Sequence, residues 1–133
     1  MRTHIVASTN DALEQQFWGA LRQERLELQR CEKCAYVRFP ASERCPECWE
    51  PGGAWRAVDP VGTVWSHTTY HRSLHPALAD AVPYTVALVQ LDAGPVLPGR
   101  ICAGDTTAIG DRVDGVFTVV TPEFTMLEWA PRR

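Results

Sequence analysis

The spacing of apolar residues changes character near residue 54. Before that point Leu13, Phe17, Leu21 and Leu28 recur near a helical period, with Trp18 beside the stripe. Asp11 followed by Glu14 approximates a capping box with Asp in place of Ser or Thr. No proline and no glycine after Gly19 interrupts the run up to Arg30. The pattern predicts one helix over about 12–28, preceded by a polar, irregular lead-in over 1–10. Phe17, Trp18, Leu21 and Leu26 are large apolar side chains on an element with only a short segment behind it. They either fold back on the main body or meet a partner chain, which makes Phe17, Trp18 and Leu21 the candidate partner-interface residues.

After residue 54 the rhythm is that of strands. Ala54–Val58 is a short one, stopped by Asp59-Pro60, and Gly62–Tyr70 is a longer one rich in Thr, Val, Trp and Tyr. A loop with two prolines spans Ser73–Pro83. Tyr84–Leu91 is the most apolar strand, Asp92-Ala93-Gly94 is a turn, and Val96–Cys102 returns with a kink at Pro98-Gly99. Val113–Val120 and Phe124–Trp129 close the chain around Thr121-Pro122-Glu123. Five to six short strands, regularly spaced turns and no second helix predict a mainly β protein ending in a small closed barrel of the OB-fold type.

Between helix and strands stand Cys31-Glu32-Lys33-Cys34 and Cys45-Pro46-Glu47-Cys48, separated by the ten residues Ala35–Arg44. Each CxxC forms a tight knuckle that turns two sulfurs toward one point, and two facing knuckles supply four thiolates, the closed tetrahedral set of a structural zinc. The spacer suffices for a strand out and back, which describes a zinc ribbon. Tyr36, Val37 and Phe39 are its apolar patch and Pro40 ends its first strand. Cys31, Cys34, Cys45 and Cys48 are therefore the expected metal ligands, for one metal ion per chain with a structural role. Iron accepts the same ligands, so a rubredoxin-like electron carrier stays open at this stage. Two disulfides would need an oxidising compartment. The start Met1-Arg2-Thr3-His4 carries no signal-like apolar run, so the expectation is a reduced, cytoplasmic setting. Cys102 lies in an apolar strand context and reads as a buried small hydrophobe. The predicted organisation is an N-terminal helical segment at 1–28, a zinc ribbon at 29–52 and an OB-fold at 53–133.

Composition removes several classes. The chain has 133 residues, a net charge of −3 and no basic run beyond Arg132-Arg133, which argues against a nucleic-acid binder. A single-stranded nucleic-acid OB-fold would also need a basic groove with stacking aromatics, of which Trp65, Tyr70 and Arg72 supply only a fragment. No stretch approaches the 18 or so apolar residues of a membrane span. His67, His71 and His75 recur every four residues, but on a strand that places neighbours about 13 Å apart, too far for one metal. The Tyr70-His71-Arg72 end of that strand suits a phosphate or carboxylate contact. There is no nucleophile elbow, no phosphate-cradling glycine loop and no defensible acid–base pair, so autonomous catalysis is not expected.

Taken together these pieces resemble a family of acyl-CoA-associated accessory proteins. Its members carry an N-terminal helix, a rubredoxin-like zinc ribbon and an OB-fold. The residues that carry the resemblance are Phe17-Trp18, the two CxxC pairs, Gly62-Thr63-Val64-Trp65-Ser66, Pro83-Tyr84-Thr85-Val86-Ala87-Leu88-Val89, Gly110-Asp111-Arg112-Val113 and Val116-Phe117. The resemblance spans nearly the whole chain. It implies a non-catalytic subunit in a hetero-oligomer with a thiolase-fold enzyme, namely a thiolase or a lipid-transfer-protein-like aldolase, or else with a MaoC-like hydratase. It implies that the subunit stabilises its partner and helps form the acyl-CoA channel. Neither nucleic acid nor membrane is implied. CoA carries a pyrophosphate and a phosphorylated ribose, so basic side chains should meet it, and His71, Arg72 and Arg100 are the candidate contacts.

Overall fold

Helix α1 (Ala12–Arg22) stops six residues short of the expected end. The computed structural model describes residues 12–73 and 75–132, so the predicted cap Asp11 lies outside the described residues. The stop is built from hydrogen bonds. Arg25 N donates to Ala20 O at 3.0 Å and Glu24 N to Leu21 O at 2.9 Å, while Glu24 takes a φ of 57°. This is the 6→1, 5→2 pattern of a Schellman cap, with Glu in the left-handed position that glycine normally fills. The absence of Gly hid this terminus in the sequence. Leu26 and Leu28, expected on the helix, lie instead on β1 (Leu26–Arg30) and are both buried.

Two sheets follow. The first is three-stranded, with β1 at its centre between β2 (Val37–Arg38) and β3 (Ala54–Val58), both antiparallel to it. The strand Ala54–Val58 thus hydrogen-bonds to the ribbon, register Leu26↔Val58 through Arg30↔Ala54. The second sheet runs β6 (Val96–Arg100), β5 (Tyr84–Leu91), β4 (Val61–Tyr70), β7 (Arg112–Thr121), β8 (Phe124–Pro131). Its two edge strands meet at one parallel bridge, Ile101↔Trp129, reinforced by Cys102 N donating to Trp129 O at 2.9 Å. The OB-type sheet therefore curls until its edges touch, but the seam is a single bridge and not a ladder closing a barrel.

The register of β4 on β5 shifts between Val64 and Ser66, and Trp65 sits in that bulge. There the 101–111 connector replaces a neighbouring strand: Val64 N donates to Asp111 O at 2.9 Å and Gly110 N to Val64 O at 2.8 Å. Bulges re-aim side chains, and Trp65 is 61% exposed, as is Ile109 at 67% on the connector.

One core serves both sheets. Leu21, Leu26 and Leu28 belong to the same buried cluster as Val64, Val89, Leu91, Val113 and Trp129. Helix α1 acts as the strut. Phe17 meets Phe39 of the ribbon at 5.3 Å between ring centroids, Trp18 meets Phe124 of β8 at 5.0 Å, and the Phe17 and Trp18 rings are themselves 5.2 Å apart edge to face. Each such aromatic pair adds about 0.5–1.5 kcal/mol beyond area burial. Of the three helix residues expected at a partner interface, Leu21 is 1% exposed and lies inside the core, which removes it from any surface. Phe17 and Trp18 are half-buried and already have partners within the chain.

Candidate metal centre and ligand-contact residues

The two cysteine knuckles are built alike. In the first, Cys31 N donates to Tyr36 O at 2.9 Å and Ala35 N to Cys31 O at 3.0 Å. In the second, Cys45 N donates to Glu50 O at 2.9 Å and Trp49 N to Cys45 O at 2.8 Å. The residue four past each first cysteine is left-handed, Ala35 at φ 67° and Trp49 at φ 66°. The turns bring Cys31 Sγ to 3.5 Å from Cys48 Sγ and Cys34 Sγ to 3.6 Å from Cys45 Sγ, and all four sulfurs lie within 4.8 Å of one another. Four thiolates at about 2.3 Å from zinc have sulfur–sulfur edges of about 3.8 Å, so the set fits a tetrahedral ion. Every position is filled by protein. The zinc-ribbon centre holds one metal ion and leaves no coordination site for substrate, so its role is to fasten β1, β2 and the second knuckle together.

At Cys31 the backbone favours the thiolate. Cys34 N and Lys33 N both point at Cys31 Sγ at 3.4 Å, and the Cys34 N–H is the main reason that the metal-free Cys31 thiol is lowered to about 6. Cys102 is outside the cluster, and its thiol is pushed up, first by desolvation and then by Glu128. It is partly exposed where its context predicted a buried small hydrophobe, and its raised thiol is not that of an activated cysteine. Among the described residues no other group of three or more His, Cys, Asp or Glu side chains could hold a metal. His67 is exposed on β4, and His75 Nδ1 caps the short 3-10 turn Pro76–Leu78 by accepting from Ala77 N at 3.0 Å.

The basic candidates divide. His71 and Arg72 are exposed just past the end of β4. Arg100 is not free: its Nε donates to Glu128 Oε2 at 2.6 Å, and Glu128 Oε1 accepts from Thr118 Oγ1 at 2.8 Å. Glu128 is 5% exposed, so the pair is a structural tie between β6 and β8. A second network escaped sequence reasoning altogether. Buried Arg38 of β2 donates from Nε to Gln29 Oε1 at 2.9 Å and from Nη2 to Ser42 O at 3.0 Å and Gly52 O at 2.7 Å. The signal available was a lone charge inside Tyr36-Val37-Arg38-Phe39.

Fold and site define a rubredoxin-like zinc ribbon joined to an OB-type sheet by a shared core. Comparison with known proteins agrees. Residues 18–52 match the family described as ChsH2, rubredoxin-like zinc ribbon domain, and residues 55–118 match ChsH2, C-terminal OB-fold domain. A DUF35 domain-containing scaffold protein of Methanothermobacter thermautotrophicus is 32% identical over 97 residues, covering 71% of this chain and 72% of that protein. The chain belongs to the DUF35 family, in its ChsH2-like form. A probable enoyl-CoA hydratase alpha subunit of Thermomonospora curvata is 36% identical over 120 residues, 86% of this chain, but the chain spans only 36% of that protein's length. Among solved structures, the Ltp2-ChsH2(DUF35) aldolase superposes with a TM-score of 0.83 at 30% identity, covering 94% of this chain and 98% of that one. A DUF35-family protein of unknown function from Sulfolobus solfataricus shares the fold, with a TM-score of 0.64 at 18% identity. No helix among the described residues is long and apolar enough to cross a membrane.

Proposed function

We propose that this chain is a non-catalytic accessory subunit of a thiolase-superfamily enzyme, a thiolase or a lipid-transfer-protein-like aldolase, that acts on an acyl-CoA in the cytoplasm. The observation that carries the reading is the superposition of nearly the whole chain on the DUF35 component of an aldolase. In this reading the zinc ribbon is a fixed handle and the partner enzyme supplies nucleophile, acid and base. The OB-type sheet contributes the contact surface. With Leu21 buried and Phe17 and Trp18 engaged internally, we take Trp65 and Ile109 as the docking pair: among the exposed apolar side chains, which include Trp49 on the ribbon and Val119 on β7, these two stand on backbones joined by the Val64–Gly110 hydrogen bond. His71 and Arg72, beyond the end of the same strand, are the side chains that meet the CoA phosphates.

The test is to tag the chain in its native cell and identify what purifies with it in stoichiometric amount. A thiolase-fold companion is expected, and Trp65→Glu should release it while leaving one zinc per chain. Replacing His71 and Arg72 by Ala should raise the complex's KM for acyl-CoA severalfold with kcat little changed. A purified chain that by itself turns over acyl-CoA at an enzyme-like rate would falsify the reading. A second reading, an accessory subunit of a MaoC-like acyl-CoA hydratase, is favoured by the similarity to the hydratase alpha subunit. It predicts a hydratase in the same purification.

A further inference from the structure

We infer that the open concavity beside the first cysteine knuckle is a binding site for a phosphate monoester. It has a volume of about 400 Å³, and Arg30, Glu32, Lys33, Ala35, Ala54 and Arg56 line it. The register of the ribbon sheet gathers the cations. Arg30 of β1 stands opposite Ala54 of β3, and Leu28 opposite Arg56. Residues opposite each other share a face of the sheet, as do residues two apart along a strand. Arg30 and Arg56 are thus diagonal neighbours on one face, and Lys33 follows on the knuckle. The small side chains of Ala35 and Ala54 leave the concavity unfilled.

Both arginines are exposed, and neither has a hydrogen bond or ion pair among the described residues. Arg25, Arg100, Arg112 and Arg132, by contrast, each hold a carboxylate. Lys33 Nζ stands 3.9 Å from Glu50 Oε2, a loose exposed pair that costs little to open. The four thiolates of a zinc centre exceed the ion's charge and are the other counter-charge at hand. The sulfurs, however, hydrogen-bond to one another and to the Lys33 and Cys34 amides, not to either guanidinium. Like charges side by side without an acceptor repel. Three lining cations against Glu32 alone leave a positive surplus, which a phosphate monoester at about −1.5 to −2 matches. Its three oxygens serve both guanidinium forks and the ammonium, where a carboxylate edge serves one fork. The site lies on the ribbon sheet, apart from His71 and Arg72 beyond β4, and does not depend on which enzyme is the partner.

The experiment titrates the zinc-loaded full chain with inorganic phosphate at constant ionic strength. It follows the Arg30 and Arg56 Nε–H resonances and the Lys33 amide by ¹H–¹⁵N spectroscopy. All three are expected to shift saturably, with half-saturation below about 10 mM, while chloride at the same ionic strength leaves them in place. Glycerol 3-phosphate and adenosine 3′-phosphate should bind at least as tightly. Parity between the two esters supports recognition of the phosphate group itself, and a preference for the adenosine ester supports a nucleotide as its source. Arg30→Gln and Arg56→Gln should each weaken phosphate by about fivefold or more with the fold retained, because neither side chain has a partner to lose. Ala54→Glu, which sets a carboxylate opposite Arg30, should abolish the shifts. The inference is overturned if phosphate and chloride act alike, or if the double variant Arg30→Gln with Arg56→Gln binds phosphate as the parent does. It is also overturned if phosphate fails while the two variants lose zinc faster to a chelator, which would assign the arginines to the charge of the metal centre. Failure of phosphate with binding of an acidic peptide would overturn it as well, in favour of a protein partner.

Discussion

Gly99 on β6 leaves the space that the indole of Trp129 on β8 occupies. A Cβ placed on Gly99 would stand 2.7 Å from Trp129 Cδ1 and 3.0 Å from Leu127 O, and Trp129 itself is fully buried. The contact lies beside the single bridge that brings the sheet's edges together. Gly99→Ala should therefore cost about 1–3 kcal/mol, the usual penalty for overpacking. The Trp129 indole N–H is buried without a partner, so Trp129→Phe removes an unsatisfied donor and enlarges the space. In that background Gly99→Ala should cost at least about 1 kcal/mol less, a coupling that a double-mutant cycle in urea measures directly. Additive costs would mean that the two positions do not meet.

The strand pattern carried most of the OB-type sheet into view, because alternation along Tyr84–Leu91 and the turn at Asp92–Gly94 are local signals. The cysteine knuckles were equally local. Features made by distant partners were not visible. Leu28 continues a helical period from Leu21, yet the Glu24 cap turns it onto a strand that pairs with Trp55 and its neighbours. Arg100 reads as a free cation until folding sets Glu128, 28 residues on, against it. Leu21 looks like an interface residue only while the chain is imagined as helix plus ribbon without the sheet that covers it.

The Arg100–Glu128 tie makes an asymmetric prediction. Removing Arg100 by Ala leaves a carboxylate at 5% exposure with only Thr118 beside it, and should cost about 2–4 kcal/mol. Glu128→Gln keeps one oxygen to accept from Arg100 and turns the other position into an NH2 that can donate to the Thr118 hydroxyl, and should cost about half as much. Chemical denaturation of the two variants at pH 7 checks the order. Equal costs would show that the buried charge is not the cause.

Two exposed ion pairs shape the acid limb of stability. Arg112 grips Asp92 through two hydrogen bonds of 2.7 Å, and Arg132 grips Asp114 at 2.6 and 3.1 Å. These hydrogen bonds hold both carboxyls below their usual range. Folded-state values below the unfolded value of about 3.9 mean that the contribution is present above about pH 4 and is lost as pH falls through the folded-state values. Asp92→Asn with Asp114→Asn should flatten the acid limb below about pH 4. The loss at pH 7 should stay small, because both pairs are exposed and screened. Urea midpoints between pH 2 and 7 would show it. A variant that loses as much on acidification as the parent would remove these pairs as the origin.

Ala35 and Trp49 hold left-handed backbone without being glycine. That conformation costs a residue with a Cβ about 1 kcal/mol or more, part of which a glycine recovers before its own unfolded-state entropy is counted. Ala35→Gly should accordingly stabilise the metal-loaded protein by about 0.5 kcal/mol and raise its zinc retention against a chelator. A destabilised Ala35→Gly would mean that the Ala side chain contributes packing that outweighs the backbone strain.

Zinc removal separates the ribbon from the sheet it leans on. The metal is the main link between the second knuckle and the rest of the ribbon: the Arg44–Pro51 bridge and the Gly52 N to Glu43 O bond close that loop on itself, and it otherwise attaches at its base, through Arg38 to Ser42 O and Gly52 O and through Ser42 N to Gln29 Oε1. The five-stranded sheet keeps its own ladder, and its core residues on β4, β5 and β8 do not depend on the cysteines. Stripping the metal, or Cys45→Ser, should therefore erase hydrogen-exchange protection over 31–52 first. Protection should weaken in β1 and β3, and should survive in β5, because metal binding is folding free energy for the segment it clasps. Loss of Leu26 and Leu28 from the shared core should then loosen α1, whose Phe17 rests on Phe39 of the ribbon. Uniform loss of protection across both sheets on metal removal would show instead that the shared core makes them one cooperative unit, with zinc holding the whole molecule.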